Sequence, residues 1–392
     1  MQPVKIIIQG DFYDSQIYRG RLYLWTFNGG LKVVKWNELV KSLLKEESDK
    51  IPLTFSFLDG NYLYKTSLIE IFKDIDFRDL LLKKFKKFSK KEYYISEQKL
   101  NNYLLGEQET PTRILPTDTE IYGNRLYFIH NEGLFSGEVH RAESEKYLVS
   151  SRPSKLWDCN LLTIKANRWP QIALSGGDQG LFELNMANSN PTNLIQVEPN
   201  HPIYQLSEKH SSLSNYTYLS VYNTSFVKNS FLIEFQWNIQ NEKHDKIKHR
   251  DFKGNITQNK IFKTSKNFPS ISWGVDDKIY KTTENGFEVI KVNYFADIQK
   301  GEEIFKLISK VDLQIWKGKI INVGSAYFGN IIECENALVV NLSNGTNITI
   351  PGPITRWRVF PRSLNYENQL HVIHDDRLEI ISFNHDYFID QE

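Results

Sequence analysis

Short runs of alternating apolar and polar residues, separated by polar turns, dominate the chain. In residues 14–24 (DSQIYRGRLYL), a turn at Gly20 leads into a run in which Leu22 and Leu24 are apolar. Apolar side chains at every second position place one face of a β-strand against a core, and glycine or asparagine in the turn tolerates positive φ. This pattern predicts short antiparallel strands joined by hairpins.

The same segment recurs along the chain. Residues 118–128 (DTEIYGNRLYF) repeat residues 14–24, and each copy runs on to a Gly-Leu pair, at Gly30 and Gly133. Residues 368–378 (NQLHVIHDDRL) match residues 124–134 (NRLYFIHNEGL). Weaker copies fill the gaps, and the turns that anchor the copies are 41 to 63 residues apart. They lie at Gly20, Asn61, Asn124, Asn167, Asn229, Asp277, Gly318 and Asn368.

A hairpin of this kind cannot bury its apolar face alone. Four-stranded units that repeat about every 40–50 residues bury each sheet between two neighbours when they are arranged radially. The repeat therefore predicts one all-β domain over residues 1–392, a β-propeller of seven or eight four-stranded blades, with seven favoured. The strand at Val4–Ile8 is expected to close the ring by joining the blade built from about Leu370–Phe388.

The chain resembles the broad β-propeller superfamily, including WD40-like and sensor-type propellers. The pieces at residues 180–184 (GLFEL) and 133–135 (GLF) are similar to the turns that close such blades. Trp157-Asp158 occurs once, and the repeated Gly-His and Trp-Asp signatures of WD40 blades are absent. The resemblance implies the fold alone and names no specific family.

One long segment departs from the repeat, from about Ser67 to Lys91. Apolar residues recur in it at helical spacing, and Asp76 is a candidate helix cap. The segment ends in six lysines interrupted by Phe85 and Phe88, which include Lys83, Lys84, Lys86 and Lys87. We interpret it as a helical insertion that packs its leucines and phenylalanines on the propeller. Its lysines would then lie in water, or would bind an acidic protein, nucleic acid or an anionic membrane.

Three further segments interrupt the strand pattern. A short helix is predicted from Asn37, and another over Glu302–Ser309. The polar segment Asn238–Lys263 is interpreted as a solvated hairpin tip. His244 and His249 in that segment are five residues apart, which does not place them on one helix face, so a metal site there is the less favoured alternative.

Composition changes this picture little. The net charge of +1 lacks the basic excess of a dedicated nucleic-acid domain. No apolar run is long enough to span a bilayer, and the N-terminus lacks the pattern of a secretory signal. The two cysteines, Cys159 and Cys334, form neither a disulfide framework nor a four-ligand zinc site. These features favour the cytoplasm.

No motif of catalysis or of cofactor binding is present. The chain has no Gly-x-Ser-x-Gly elbow, phosphate-binding glycine loop or His-Glu-x-x-His zinc motif, so we expect no cofactor, no metal and no catalytic residue. His130 and His374 occupy one repeat position, and His371 replaces Tyr127 of the repeat. We interpret all three histidines as structural.

Arg356, Trp357 and Arg358 are the strongest candidates for an exposed anchor, since tryptophan and arginine dominate interface energetics. The alternative is that Arg358, which is repeated as Arg113, only supports a blade. With the lysines of the insertion, these residues are the predicted partner-binding set. The sequence thus favours a non-catalytic scaffold or recognition subunit of a protein complex. A small-ligand or nucleic-acid sensor, and an enzyme with a site in the central channel, are the alternatives.

Overall fold

The computed structural model describes residues 3–60, 66–110, 114–139, 149, 153–166, 171–177, 181–185, 211–217, 220–225, 230–242, 245–262, 270–283, 286–293, 295–296, 298–312 and 320–383. The chain is an all-β propeller with antiparallel, mostly four-stranded blades and few helices. Contacts group it into two compact units, and the single domain over residues 1–392 stays a prediction. The first unit comprises Met1–Leu115, Val139–Ser151 and Lys319–Glu392, and the second comprises Pro116–Glu138 and Arg152–Gly318. No described helix is long and apolar enough to cross a membrane.

The first unit contains three sheets. Its strands are β1 (Val4–Gln9), β2 (Phe12–Tyr18), β3 (Arg21–Thr26), β4 (Gly30–Lys35), β5 (Glu92–Ile95), β6 (Leu104–Glu109), and, much later in the chain, β22 (Ile320–Ala326), β23 (Gly329–Cys334), β24 (Ala337–Leu342), β25 (Asn347–Pro351), β26 (Arg356–Val359), β27 (Gln369–Ile373) and β28 (Arg377–Ser382). The first blade has the strand order β2-β3-β4-β6, and the next sheet has the order β22-β23-β24-β25. The third sheet, which we call the closing blade, has the order β26-β27-β28-β1-β5.

The second unit contains four sheets, each built from consecutive strands. The strands are β7 (Asp118–Tyr122), β8 (Arg125–His130), β9 (Gly133–Glu138), β10 (Ser154–Trp157), β11 (Thr163–Ala166), β12 (Gln171–Ser175), β13 (Leu181–Asn185), β14 (Ser211–Thr217), β15 (Ser220–Ser225), β16 (Phe231–Glu242), β17 (Asp245–Thr257), β18 (Ser272–Val275), β19 (Lys278–Thr282), β20 (Gly286–Val292) and β21 (Phe305–Asp312). They form the sheets β7–β10, β11–β13, β14–β17 and β18–β21.

The blade count corrects the sequence-based prediction. Six of the sheets have four or more strands and form complete blades, whereas the sheet β11–β13 has three strands among the described residues. Six complete blades therefore replace the predicted seven, and no sheet of the described residues corresponds to an eighth. The anchor turns at Asn61, Asn167, Asn229 and Gly318 lie outside the described residues.

The repeated segment forms the same structure in both units. In the β2–β3 turn, Arg19 and Gly20 have φ of 48° and 76°, and in the β7–β8 turn Gly123 and Asn124 have φ of 58° and 63°. Two consecutive left-handed residues are the requirement of the two-residue hairpin turns that match strand twist. The glycines and the asparagine of the repeat are therefore explained by turn geometry.

The closing blade pairs the first described strand with the last one, as the sequence predicts. Strand β1 pairs antiparallel with β28 over Val4↔Ser382 to Gln9↔Arg377. Ile6 and Ile8 are fully buried on this strand. Strand β1 thus stabilises a blade in which three strands, β26, β27 and β28, come more than 340 positions later in the chain.

The helical insertion lies between β4 and β6 of the first blade and is longer than the predicted segment at about Ser67–Lys91. It contains α1 (Trp36–Lys41), α2 (Lys50–Phe57), α3 (Thr66–Phe72), α4 (Ile75–Phe88) and α5 (Glu97–Asn101), whereas α6 (Gln258–Ile261) lies in the second unit. Strand β5 also belongs to the insertion and pairs parallel with β1, which covers the outer edge of the closing blade.

The caps of the helices differ from those predicted. Helix α4 begins two residues earlier than expected, since the Asp74 carboxylate, not Asp76, accepts a hydrogen bond from the Phe77 amide at 2.9 Å. Helix α1 begins at Trp36, with Lys35 at its cap position instead of Asn37. The predicted helices themselves are present at both places.

The helix predicted over Glu302–Ser309 is wrong, because this segment forms strand β21. Its residues pair with β20 from Phe287↔Val311 to Val292↔Phe305. Ile304 and Phe305 pack against the apolar cluster of this blade. Pairing with an existing strand thus overrides a weak helical pattern. The segment Asn238–Lys263, in contrast, is largely the predicted hairpin, formed by β16 and β17.

Candidate functional site

The predicted anchor residues Arg356 and Arg358 surround a buried carboxylate. Asp14, on β2 of the first blade, is fully buried. Its two oxygens accept hydrogen bonds from Arg358 Nε at 2.8 Å and from Arg358 Nη2 at 2.6 Å. Arg356 Nη1 donates to Asp14 Oδ2 at 3.3 Å, and the Ser15 amide donates to Asp14 Oδ1 at 2.8 Å. Two parallel bonds from one guanidinium form the most specific carboxylate–arginine geometry.

Arg356 extends this cluster toward Tyr13. Its Nη2 atom donates to the Tyr13 hydroxyl at 3.1 Å, and its guanidinium carbon lies 4.8 Å from the centre of the Tyr13 ring. The guanidinium is therefore held both by hydrogen bonds and by the ring face. The cluster joins β2 of the first blade to β26 of the closing blade.

Trp357 points toward the neighbouring sheet β22–β25. Its indole Nε1 donates to Glu333 Oε2 at 2.8 Å. A β-carbon at position 324 would lie 2.7 Å from the Trp357 ring, so Gly324 provides the space that the indole occupies. Burial raises the pKa of Glu333, and the hydrogen bond from Trp357 opposes that effect.

The structure thus places the three predicted anchor residues in different environments. Arg358 is only 8% exposed and supports the junction of two blades, which differs from the expected exposed anchor. Arg356 and Trp357 are half-buried and each already has a partner within the chain. Partner binding by these residues stays a prediction, while their structural contacts are evident. Arg113, the repeat counterpart of Arg358, lies outside the described residues.

A serine and a histidine lie next to this cluster. Ser15 Oγ and His371 Nδ1 are 3.0 Å apart, and both side chains are fully buried. Burial lowers the pKa of His371 to about 3, so the imidazole is neutral at neutral pH. Asp14 is bound by Arg358, and neither Ser15 nor His371 is exposed to solvent. The structural role of His371 stays a prediction.

The lysines of the insertion lie on α4, as predicted. The helix buries Leu81, Phe85 and Phe88, while Lys83, Lys86 and Lys87 are exposed and Lys84 is half-buried. Phe85 stacks on Phe55 of α2 at 6.4 Å, and Phe88 contacts Tyr93 of β5 at 5.5 Å. The apolar stripe therefore packs inside the insertion and leaves the lysines at its surface.

Two of the basic residues hold the insertion together. Lys87 Nζ donates to Glu46 Oε2 at 3.2 Å, and Lys91 Nζ donates to Asp49. The hydrogen bond from Lys87 lowers the pKa of Glu46. Within the described part of the chain, Lys83, Lys84 and Lys90 have no acidic partner.

Two exposed apolar side chains lie on the same helix as Lys83 and Lys84. Ile75 at the start of α4 is 76% exposed and Leu80 is 52% exposed. Residues three or four apart share one face of a helix, so Asp76, Leu80, Lys83, Lys84 and Lys87 lie along a single face. We call these five residues the insertion surface. The sequence indicated its lysines but not Leu80, since helical periodicity alone does not say which apolar residues stay outside a core.

The described residues contain no group of three or more His, Cys, Asp or Glu side chains placed to hold a metal ion. His244 lies outside the described residues, so the metal alternative at Asn238–Lys263 stays untested. One cavity of about 160 Å³ lies between the end of β1, the β3–β4 turn and α5, near Asp11, Lys32 and Glu97. Pockets for drug-sized ligands are larger, about 300–1,000 Å³.

Comparisons with known proteins add little beyond the fold. No known protein-family profile matches the chain, and no curated protein matches it. Among solved structures it is similar to BamB from Moraxella catarrhalis, with 10% identity, a TM-score of 0.40 and coverage of 93% of this chain and 80% of that one. It is also similar to Kluyveromyces lactis Hsv2, with 11% identity, a TM-score of 0.38 and coverage of 66% and 71%. The computationally designed Ika8 protein has 8% identity, a TM-score of 0.43 and coverage of 95% and 83%.

Proposed function

We propose that the protein is a non-catalytic interaction subunit of a protein complex, and that the helical insertion carries its main partner-binding surface. The central observation is that α4 combines exposed apolar side chains, Ile75 and Leu80, with lysines that no acidic residue of the described chain neutralises. Exposed apolar surface rimmed by charge is typical of protein-binding sites.

The attachment of the insertion supports this proposal. The amide of Gln369 on β27 donates to the Ser56 and Phe57 carbonyl oxygens at 3.3 and 3.2 Å, and the Trp36 indole donates to the Phe57 carbonyl at 2.8 Å. These bonds, with one from Asn368 Nδ2 to the Ser56 carbonyl at 3.1 Å, satisfy carbonyl groups at the end of α2 that have no partner within the helix. A surface held this firmly loses little conformational freedom when it binds.

The compartment we propose is the cytoplasm. Both cysteines, Cys159 and Cys334, are free and half-buried, and burial raises the pKa of each thiol. Two free thiols agree with a reducing compartment, where disulfides are rare.

The test is recovery of tagged chain from its source cells under gentle conditions, beside the variant Leu80→Asp. We expect wild type to bring down a stoichiometric protein, and Leu80→Asp to lose most of it because a charge replaces the apolar centre. The matched control is Leu364→Asp, which changes a leucine that is 77% exposed elsewhere in the chain and should recover the partner as wild type does. A chain recovered alone, or a partner that both variants retain equally, would count against the proposal.

A further inference from the structure

Charge is segregated along α4. Asp74 caps the helix, and Asp76 and Asp79 lie in its N-terminal half together with Arg78. Lys83, Lys84, Lys86 and Lys87 lie in the C-terminal half, followed by Lys90. Leu80 lies between the two groups. The fourteen residues of α4 extend about 21 Å, enough to contact three to four turns of a partner helix.

The two ends of the helix are not equally neutralised. The acidic end lies where the helix dipole favours negative charge, and Asp74 caps the helix. At the basic end, Glu46 binds Lys87, whereas Lys83, Lys84 and Lys90 have no ion-pair partner in the described chain. The basic end therefore has unmatched positive charge that a negatively charged partner can neutralise.

An anionic membrane or a nucleic acid fits this surface less well than a peptide. Asp76 lies on the same face as Leu80 and Lys83, so a flat layer of anionic headgroups that met the lysines would also meet this carboxylate. A phosphate backbone is bound by basic residues and gains nothing from an exposed Leu80. A peptide can match the surface locally, with an apolar side chain at Leu80 and acidic side chains at the lysines.

We propose that the insertion surface binds an acidic amphipathic segment of a partner protein, with an apolar residue on Leu80 and carboxylates on Lys83 and Lys84. This inference rests on the proposed function and adds the chemical class of the partner. Burial of apolar area supplies affinity, and the charges supply the orientation and the rate of association.

The test measures binding of defined probes to the full chain by fluorescence anisotropy. The probes are a labelled 15-residue peptide with leucine at helical spacing and glutamate elsewhere, the same peptide with lysine in place of glutamate, and a 20-nucleotide single-stranded RNA. Phosphatidylserine-containing vesicles are tested by co-sedimentation. We expect the glutamate peptide to bind, and to bind at least several-fold more weakly at 300 mM than at 50 mM salt.

Charge-reversal variants locate the contact. Lys83→Glu with Lys84→Glu should weaken binding of the glutamate peptide about tenfold or more, since two attractive contacts become repulsive. The matched control, Lys260→Glu with Lys278→Glu, makes the same change at two exposed lysines outside the insertion and should leave binding unchanged. Circular dichroism of each variant establishes that it is folded.

Each other outcome overturns the inference. The inference is contradicted if the lysine peptide binds as tightly as the glutamate peptide, or if the RNA or the vesicles bind more tightly. It is also contradicted if charge reversal at Lys83 and Lys84 leaves binding of the glutamate peptide unchanged. The segment of the cellular partner that contacts α4 can be identified by cross-linking the partner to the chain. If recovery of the partner depends on Leu80 but that segment is not acidic, only the proposed class of partner is wrong. If no partner is recovered from cells at all, the proposed function fails with it.

Discussion

The buried carboxylate of Asp14 should be the most sensitive single position in the first unit. In Asp14→Asn the side chain keeps its shape but loses its charge, so Arg358 remains buried beside a neutral amide. That amide can accept hydrogen bonds through its oxygen, but its nitrogen would face the donating guanidinium group of Arg358. Removing one partner of a buried ion pair costs about 3–5 kcal/mol, because the remaining charge has no compensation. We expect a loss of this size in the free energy of unfolding.

Urea denaturation followed by tryptophan fluorescence measures this loss. The matched control is Glu70→Gln, which makes the same chemical change in an exposed ion pair with Lys73 and should cost less than about 1 kcal/mol. The double variant Asp14→Ala/Arg358→Met should lose less stability than the summed losses of its two single variants. Each single variant leaves one buried charge without its partner, whereas the double variant removes both charges. A cost below about 1 kcal/mol for Asp14→Asn would refute the view that this pair holds the two blades together.

Two further predictions concern buried polar groups. His371 has a pKa of about 3 in the folded chain and about 6.5 when unfolded, so only the unfolded state takes up this proton between these values. Stability should therefore fall by roughly 1.4 kcal/mol per unit as the pH drops from about 6.5 toward 3. In urea titrations at pH 7 and 5, His371→Gln should show a smaller drop than wild type, and equal drops would contradict the assignment. Gly60→Ala would make its β-carbon overlap with the Asn368 side chain. The Gly60→Ala variant should lower the free energy of unfolding by about 1–3 kcal/mol. The control Gly254→Ala, which has open space around it, should change the urea midpoint little. Similar midpoints for the two variants would show that Asn368 moves aside.

Much of the fold was predictable because the repeat preserves the residues that its turns require. Gly20 and Asn124 have positive φ at equivalent turns, and the alternating strands that follow them are β3 and β8. The pairing of β1 with β28 was also predictable, since an isolated apolar strand near the N-terminus needs a partner and the sheet β26-β27-β28 needs a further strand. The blade count was harder, because spacing between weak anchor turns does not show how many strands each sheet contains.

The segment Glu302–Ser309 illustrates where local pattern fails. Ile304, Phe305 and Ile308 occur at intervals that suit a helix, yet Phe305–Asp312 is a strand. In that strand Ile308 is 45% exposed, so the apolar residues do not mark one buried face. The free edge of β20 decides the outcome, and that edge is not visible in a window of eight residues.

The candidate site was predictable in part. Residue type drew attention to Arg356 and Arg358 as partner-binding residues, which stays a prediction, whereas the carboxylate that binds them lies more than 340 residues away in sequence. A signal for it did exist, since Asp14 recurs as Asp118 in the repeat. Asp118 Oδ1 accepts from the Thr119 amide at 2.9 Å, as Asp14 does from Ser15, and Asp118 Oδ2 accepts from the Ile164 amide at 3.1 Å. A repeated buried acid at the start of a blade thus marks a junction between sheets.

The way the insertion is attached determines how its function can be tested. Strand β5 is paired with β1 of the closing blade, and the buried Phe88 contacts Tyr93 on that strand. Removing residues 67–91 would therefore expose the apolar face beneath α4 and take Phe88 away from Tyr93 on the strand that pairs with the closing blade. Loss of a partner after such a deletion would not distinguish a missing contact from a damaged blade. Substitutions at Leu80, Lys83 and Lys84 leave Phe85 and Phe88 in place, so a loss of binding in those variants reports on the surface itself.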